Sequence, residues 1–266
     1  MAEGSYISQN LTADQQSVLK VLDENEIDIF SIEELLSYVE MNKTVIKEVL
    51  ENLGSKQFLH RIERGKYCRH NFRNEYVISN YLVEDGVVAY WTALNLHGLT
   101  EQFPNTIFVQ TTKQKKHKTI FGVRYQFVKI QPEKMMGIIT QGYGNHQFRM
   151  TGVEKTIVDC FHLPQYSGGF SELLYALNKA KISSIKLTES AKAVNNIAVI
   201  KRLGFLIELL EKENMATFIK FALSKVNKKY NLLAPQDANE GQFNARWRLR
   251  INVPEEEILL MSKKIS

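Results

Sequence analysis

NKTVIKEVLENLGSKQFLHRIERGKYCR, Asn42 to Arg69, joins an amphipathic helix to a basic hairpin. Asn42 is a good helix cap. Ile46, Val49, Leu50 and Leu53 recur at helical spacing and form a core stripe, which turns Thr44, Lys47, Glu48 and Glu51 outward. Gly54 is expected to close the helix. Phe58 to Arg69 then divides into two short strand-like runs around Arg64 and Gly65. Upstream, Thr12 with Gln15 and Ser31 with Glu34 have capping-box spacing. They open two further helices, with Val18, Leu19 and Leu22 inward in the first and Ile32, Leu35 and Leu36 in the second. Helix, helix, turn, helix and basic hairpin make a winged helix-turn-helix. Such a unit reads base edges with the start of its last helix, here Lys43, Thr44 and Lys47. Arg61, Arg64, Lys66 and Arg69 of the hairpin would hold phosphate or the minor groove; the alternative is a winged-helix module used for protein contact, with a solvated charged wing. Glu48 and Glu51 would be repelled by phosphate, so only the first turns of the helix are expected to enter the groove.

Composition agrees with a soluble globular chain. It has 266 residues, 44% hydrophobic and 24% charged, long enough for roughly two domains at about 100 to 200 residues each. The formal net charge of +5 is unevenly spread. Residues 1–55 are acid-rich, whereas basic residues gather in Lys56–Arg73, in KQKKHK (Lys113–Lys118) and in RWRLR (Arg246–Arg250). The opening MAEGSYISQN lacks the basic and apolar regions of a secretory signal. No run approaches the roughly 20 apolar residues needed to span a bilayer, so no membrane association is expected. Cys68 and Cys160 read as reduced thiols, which points to the cytoplasm.

A change of character near residue 73 suggests a winged helix-turn-helix domain over 1–73 and a mixed α+β domain over 74–266. In the second, Glu84–Leu99 has helical spacing, stopped by Gly98; TIFVQTT, YQFVKI and MGIITQG look like strands; and Ile197–Glu211 and Thr217–Val226 look like helices. RWRLRINV alternates as a strand, with Arg246, Arg248 and Arg250 on one face. Together with Lys113, Lys115, Lys116 and Lys118 these arginines suggest a surface for a nucleic acid or an acidic protein; the alternative is a solvated edge. MTGVEKTIVDCF, 150–161, holds the acids and lysine of a nuclease in outline. Thr151 and Glu154 have capping-box spacing, however, and Lys155 and Asp159 are expected to pair on the exposed side of a helix. No catalytic residues are therefore expected there. Cys160 with His162 and Cys68 with His70 fall outside zinc spacings, and neither metal nor cofactor is expected. Tyr90, Trp91 and His97 read as core or interface, with His97 facing a helix C-terminus.

YWTALNLHGLTEQFPNTIFVQT, MTGVEKTIVDCFHLPQYSGGFSELLYAL, KRLGFLIELL, NARWRLRINV and the wing RIERGKY occur in an order that resembles the AbiEi-type antitoxins of type IV abortive-infection toxin–antitoxin systems. The resemblance implies a non-enzymatic regulator with two domains, one repressing its own operon at promoter inverted repeats in double-stranded DNA. The other would neutralise a nucleotidyltransferase-like toxin without a stable complex. Two other classes stay open on the residues alone: a DNA-binding nuclease using Glu154, Lys155 and Asp159, and a transcription factor with a ligand-sensing second domain.

Overall fold

Among the described residues, side-chain caps begin the first three helices. In a computed structural model describing residues 11–263, Thr12 and Gln15 exchange reciprocal bonds at 3.2 and 3.3 Å and start α1, Ala13–Glu24. Ser31 and Glu34 repeat the arrangement at α2, Ile32–Leu35, a single turn. Asn42 accepts from the amides of Thr44 and Val45 at 3.0 Å each and starts α3, Lys43–Ser55. The opening MAEGSYISQN lies outside the described residues.

Helix α3 does not stop at Gly54. It runs one residue further, and the left-handed position falls on Gln57, at φ 62°. The Phe58 amide donates to Leu53 and the Gln57 amide to Gly54, both at 3.0 Å. That is the paired pattern of a Schellman cap, with Phe58 and Leu53 in the same apolar cluster. Burial of Phe58 against the core sets the turn, which outweighs glycine's intrinsic preference.

Strands β1, Ile29–Ser31, β2, Leu59–Glu63, and β3, Lys66–Arg69, form an antiparallel sheet in the order β1-β3-β2. Arg64 and Gly65 make the turn, with Gly65 at φ 74° where a side chain is disfavoured. Its carbonyl accepts the Ile32 amide at 2.9 Å, tying the turn to α2. The apolar residues of α1, α2 and α3 pack with Phe30, Leu59 and Tyr67 in one core. Helix α4, Glu75–Leu82, capped by Asn74, belongs to this first unit, which runs through Glu84 and includes Gly142–Gln147. The chain thus divides after Glu84, beyond the compositional change at residue 73.

The second unit comprises Asp85–Gln141 and the residues from Phe148 onward. Its main sheet has six strands in the order β6-β7-β5-β4-β9-β8. They are β4, Val87–Val88, β5, Thr106–Thr111, β6, Lys118–Ile120, β7, Val123–Lys129, β8, Ile138–Gln141, and β9, Phe148–Thr151. The expected helix over Glu84–Leu99 is shorter, α5, Tyr90–Leu96. Val87 and Val88 are instead a central strand, pairing with β5 on one side and β9 on the other. Two fully buried β-branched residues suit a sheet interior, where both faces are covered. Helices α6, Val153–His162, α7, Phe170–Lys179, α8, Ser184–Val194, α9, Ile197–Leu209, α10, Ala216–Lys225, and α11, Glu255–Lys263, pack with α5 around a second core. A small sheet of β10, Asn231–Leu232, β11, Gln242–Asn244, and β12, Leu249–Ile251, has the order β10-β12-β11. Among the described residues, no helix is long and apolar enough to cross a membrane.

Only the second half of the expected strand RWRLRINV is extended. The Trp247 amide donates to the Asn244 side chain at 2.9 Å, and Arg248 turns the chain at φ 50°. The turn drives the Trp247 ring onto α9 at Gly204, where an added Cβ would lie 2.3 Å from ring carbons. Glu208, one turn further along α9, accepts from Trp247 Nε1 at 2.7 Å and from Arg246 at 2.7 and 3.1 Å. Gly204→Ala is therefore expected to cost about 1–3 kcal/mol, as overpacked cores do. Urea unfolding checks this, and an unchanged midpoint would mean that the ring has room to move.

Candidate nucleic-acid interface

Asn42 fixes the start of α3, and the Arg64–Gly65 turn fixes the end of the hairpin. Between them lies a groove of about 410 Å³ lined by Lys43 and Lys47 from the helix and by Arg61 and Arg64 from the hairpin. Thr44 is exposed at the helix start, on the turn between the two lysines. Glu33 and Glu51 also line the groove. Lys43 pairs with Glu33 at 2.7 Å, and that bond is the main reason the Glu33 carboxyl sits below its ordinary pKa. Both side chains are more than half exposed, at 55% and 67%. Such a pair is worth at most about 1 kcal/mol, so a phosphate can displace Glu33 readily.

The structure brings together four of the seven residues expected to touch DNA, with Thr44 beside them, and turns two away. Lys66 donates to the Tyr81 carbonyl at 2.5 Å and lies 3.9 Å from Glu63, joining the hairpin to the end of α4. Arg69 is paired with Asp23 and donates to the Ile27 carbonyl at 3.4 Å, joining β3 to the end of α1. Lys66 opens β3 directly after the turn and Arg69 ends it at the open end of the hairpin, and each side chain reaches a neighbouring element of the same unit. Sequence position gives no sign of this, because Tyr81, Ile27 and Asp23 lie 15 or more residues away.

The run MTGVEKTIVDCF departs from expectation in two ways. Thr151 ends β9 and its hydroxyl meets that of Thr156 at 2.6 Å, so α6 begins at Gly152 without a side-chain cap. Glu154 instead accepts the Ser183 amide at 2.8 Å. Lys155 and Asp159 do pair, but in the core: they are 1% and 3% exposed. Gln110 of β5 donates to the same carboxylate at 2.6 Å. Burial pushes the Asp159 carboxyl up while Lys155 and Gln110 pull it down. The three acid and base groups of the nuclease outline thus point at one another or at backbone. Gln110 is the member that sequence reasoning misses, since nothing local marks a strand glutamine as the partner of a helix 49 residues away.

His162, at the end of α6, accepts from Asn196 at 3.0 Å through Nδ1, with the Lys134 ammonium 3.4 Å from Nε2. Burial first, then Lys134 and Lys155, depress its pKa to about 4. His97 also stays neutral, lowered by burial, and donates from Nε2 to the Thr151 carbonyl at 2.7 Å rather than acting as a cation at a helix end. Cys68 and Cys160 are buried free thiols, and burial raises the first to about 12. Tyr90 is buried in the core as expected. Trp91 is partly buried there, packed against Gly168. No group of three or more metal-ligating side chains occurs among the described residues.

The expected basic surface of the second unit falls on two different sheets. Lys113, Lys115, Lys116 and Lys118 lie at the start of β6 or just before it. Arg246, Arg248 and Arg250 lie in or before β12, and each has a partner of its own. Arg246 is neutralised by Glu208, Arg248 stacks on Tyr230 at 5.3 Å, and Arg250 stacks on Phe243 at 5.3 Å and donates to Asn239 at 2.8 Å. The positive φ at Arg248 breaks the alternation that would have aligned them.

No protein-family model matches this chain, and no curated protein matches it. Among solved structures, it is similar to the crystal structure of the RV2827C protein from Mycobacterium tuberculosis, with a TM-score of 0.61 at 12% identity over 90% of this chain and 92% of that one. At that identity the likeness shows the fold alone.

Lys155→Met strands the Asp159 charge and is expected to cost about 3–5 kcal/mol, whereas the double change Lys155→Met, Asp159→Leu should recover most of it. Equal destabilisation of the two variants in chemical denaturation would show that the carboxylate, not its pairing, is what matters. His162 binds protons less readily folded than unfolded, so its contribution is complete above the unfolded pKa of about 6.5. It is lost progressively as the pH falls towards about 4. Urea midpoints across that window should drop for the native chain and drop less for His162→Gln.

Proposed function

We infer that the first unit is a winged helix-turn-helix that binds double-stranded DNA, in a cytoplasmic regulator of the AbiEi antitoxin type. The carrying observation is the groove shared by Lys43, Lys47, Arg61 and Arg64. Four cations from a helix start and a hairpin line one channel, where a helix lying in the major groove and a wing beside it would meet phosphate. Exposed Thr44 supplies a hydroxyl able to contact a base edge. The dipole of α3 adds positive potential in the same place, at the helix start. Support for the antitoxin half is the motif series resembling that family, read with a second unit that has its own core. On this reading the protein represses its operon at inverted repeats and opposes a nucleotidyltransferase-like toxin, without catalysis of its own.

A duplex carrying the DNA upstream of the gene tests the first half. Lys47→Ala, Arg61→Ala and Arg64→Ala should each weaken binding and shallow the plot of log affinity against log salt by roughly 0.9 for each phosphate no longer neutralised. Lys66→Ala and Arg69→Ala should lower thermal stability with less change in that slope. A shallower slope at Lys66 and Arg69 alone would move the interface away from the groove. For the antitoxin half, growth rescue beside a plasmid expressing the neighbouring toxin gene is expected from the full chain, and its absence would reject the antitoxin role.

A further inference from the structure

The loop before β6 lies beside β7 and the segment after α6, and the three border an open cleft of about 540 Å³. This is within the range of about 300–1,000 Å³ typical of small-molecule sites. Its two halves differ chemically. One is apolar: Phe127 and Val128 are buried, Leu163 and Tyr166 are partly buried, and all four line the space. The Tyr166 ring is held from behind by Tyr90 at 5.4 Å and Phe108 at 5.6 Å, so it is a fixed wall. The other half is cationic, with Lys115, Lys116 and Lys129 along the rim. Among the residues that line the cleft there is no carboxylate.

Two contacts order this rim. The Lys115 ammonium sits over the Phe127 ring, 5.5 Å from its centroid, a cation–π placement that keeps the charge at the boundary between the halves. The Phe127 amide donates to His117 Nδ1 at 3.2 Å, which fixes the lone pair on Nδ1 and the proton on Nε2. The loop is thereby pinned to β7, and the exposed imidazole keeps an N–H to offer outward.

We propose that this cleft binds a nucleoside phosphate, with the base against Tyr166 and Leu163 and the phosphates on Lys115, Lys116 and Lys129. A plain anion would leave the apolar wall in water, and a neutral aromatic would make no use of the Lys116 and Lys129 charges. A ring joined to a phosphate chain satisfies both halves. Nothing in this site depends on the DNA-binding reading of the first unit.

The test is calorimetric titration of the full chain with ADP, GDP, CDP and UDP, with adenosine and pyrophosphate as the separated parts. At least one diphosphate is expected to bind at least tenfold more tightly than either part. Lys116→Glu and Lys129→Glu, both at exposed positions, should each weaken it at least fivefold, with circular dichroism unchanged. Amide shifts in a nitrogen-labelled sample should centre on residues 115–117 and 127–129. Pyrophosphate binding as tightly as the diphosphates, affinity indifferent to both charge reversals, or no binding at millimolar ligand would each overturn the proposal.

Discussion

A lysine and an aspartate buried side by side in the core constrain the second unit more than any other contact. Lys155 and Asp159 lie one turn apart on α6, and each would be very costly to bury alone. Together, and with Gln110 reaching across from β5, they satisfy one another. The arrangement works only when α6 lies against the sheet in one register, because a slip along the helix would leave the carboxylate facing apolar atoms. The chain around it is held accordingly. Gly152 carries the turn from β9 into α6, Glu154 reaches the start of α8 through Ser183, and His162 closes the far end against Asn196.

In the first unit the cations near the hairpin and α3 differ in how they are held. Lys66 and Arg69 reach carbonyl or carboxylate groups of neighbouring elements. Lys47 and Arg64 stay exposed at the groove, and the Lys43 pair with Glu33 is one that solvent or phosphate can replace. The arginines before and within β12 each make a contact, with Glu208, Tyr230 and Phe243 in turn. The motif KRLGFLIELL followed by NARWRLRINV thus has a physical reading: Gly204 and Glu208 receive Trp247 and Arg246.

Local chemistry is legible in the sequence. The caps at Thr12, Ser31 and Asn42, the core stripe of α3 and the hairpin about Arg64 and Gly65 all depend on residues within a few positions of one another. What the sequence hides depends on distant partners. Val87 and Val88 have a spacing compatible with a helix, and only β5 and β9 make them a strand. The i, i+4 spacing of Lys155 and Asp159 gives their pairing but not the side of the helix that is buried. The groove cations are recognisable because Lys43 and Lys47 fall in the first turns of a capped helix, Arg64 falls in a tight turn, and Arg61 falls in the strand before it. The pairing of Arg69 is hidden because Asp23 lies far from it along the chain.

Hydrogen–deuterium exchange of the full chain with and without its upstream duplex tests the central claim most directly. Protection is predicted in peptides covering the start of α3 and the turn between β2 and β3, with residues 113–118 and 246–250 unchanged. Protection confined to those last two segments, with the groove exchanging as in the free protein, would contradict the account.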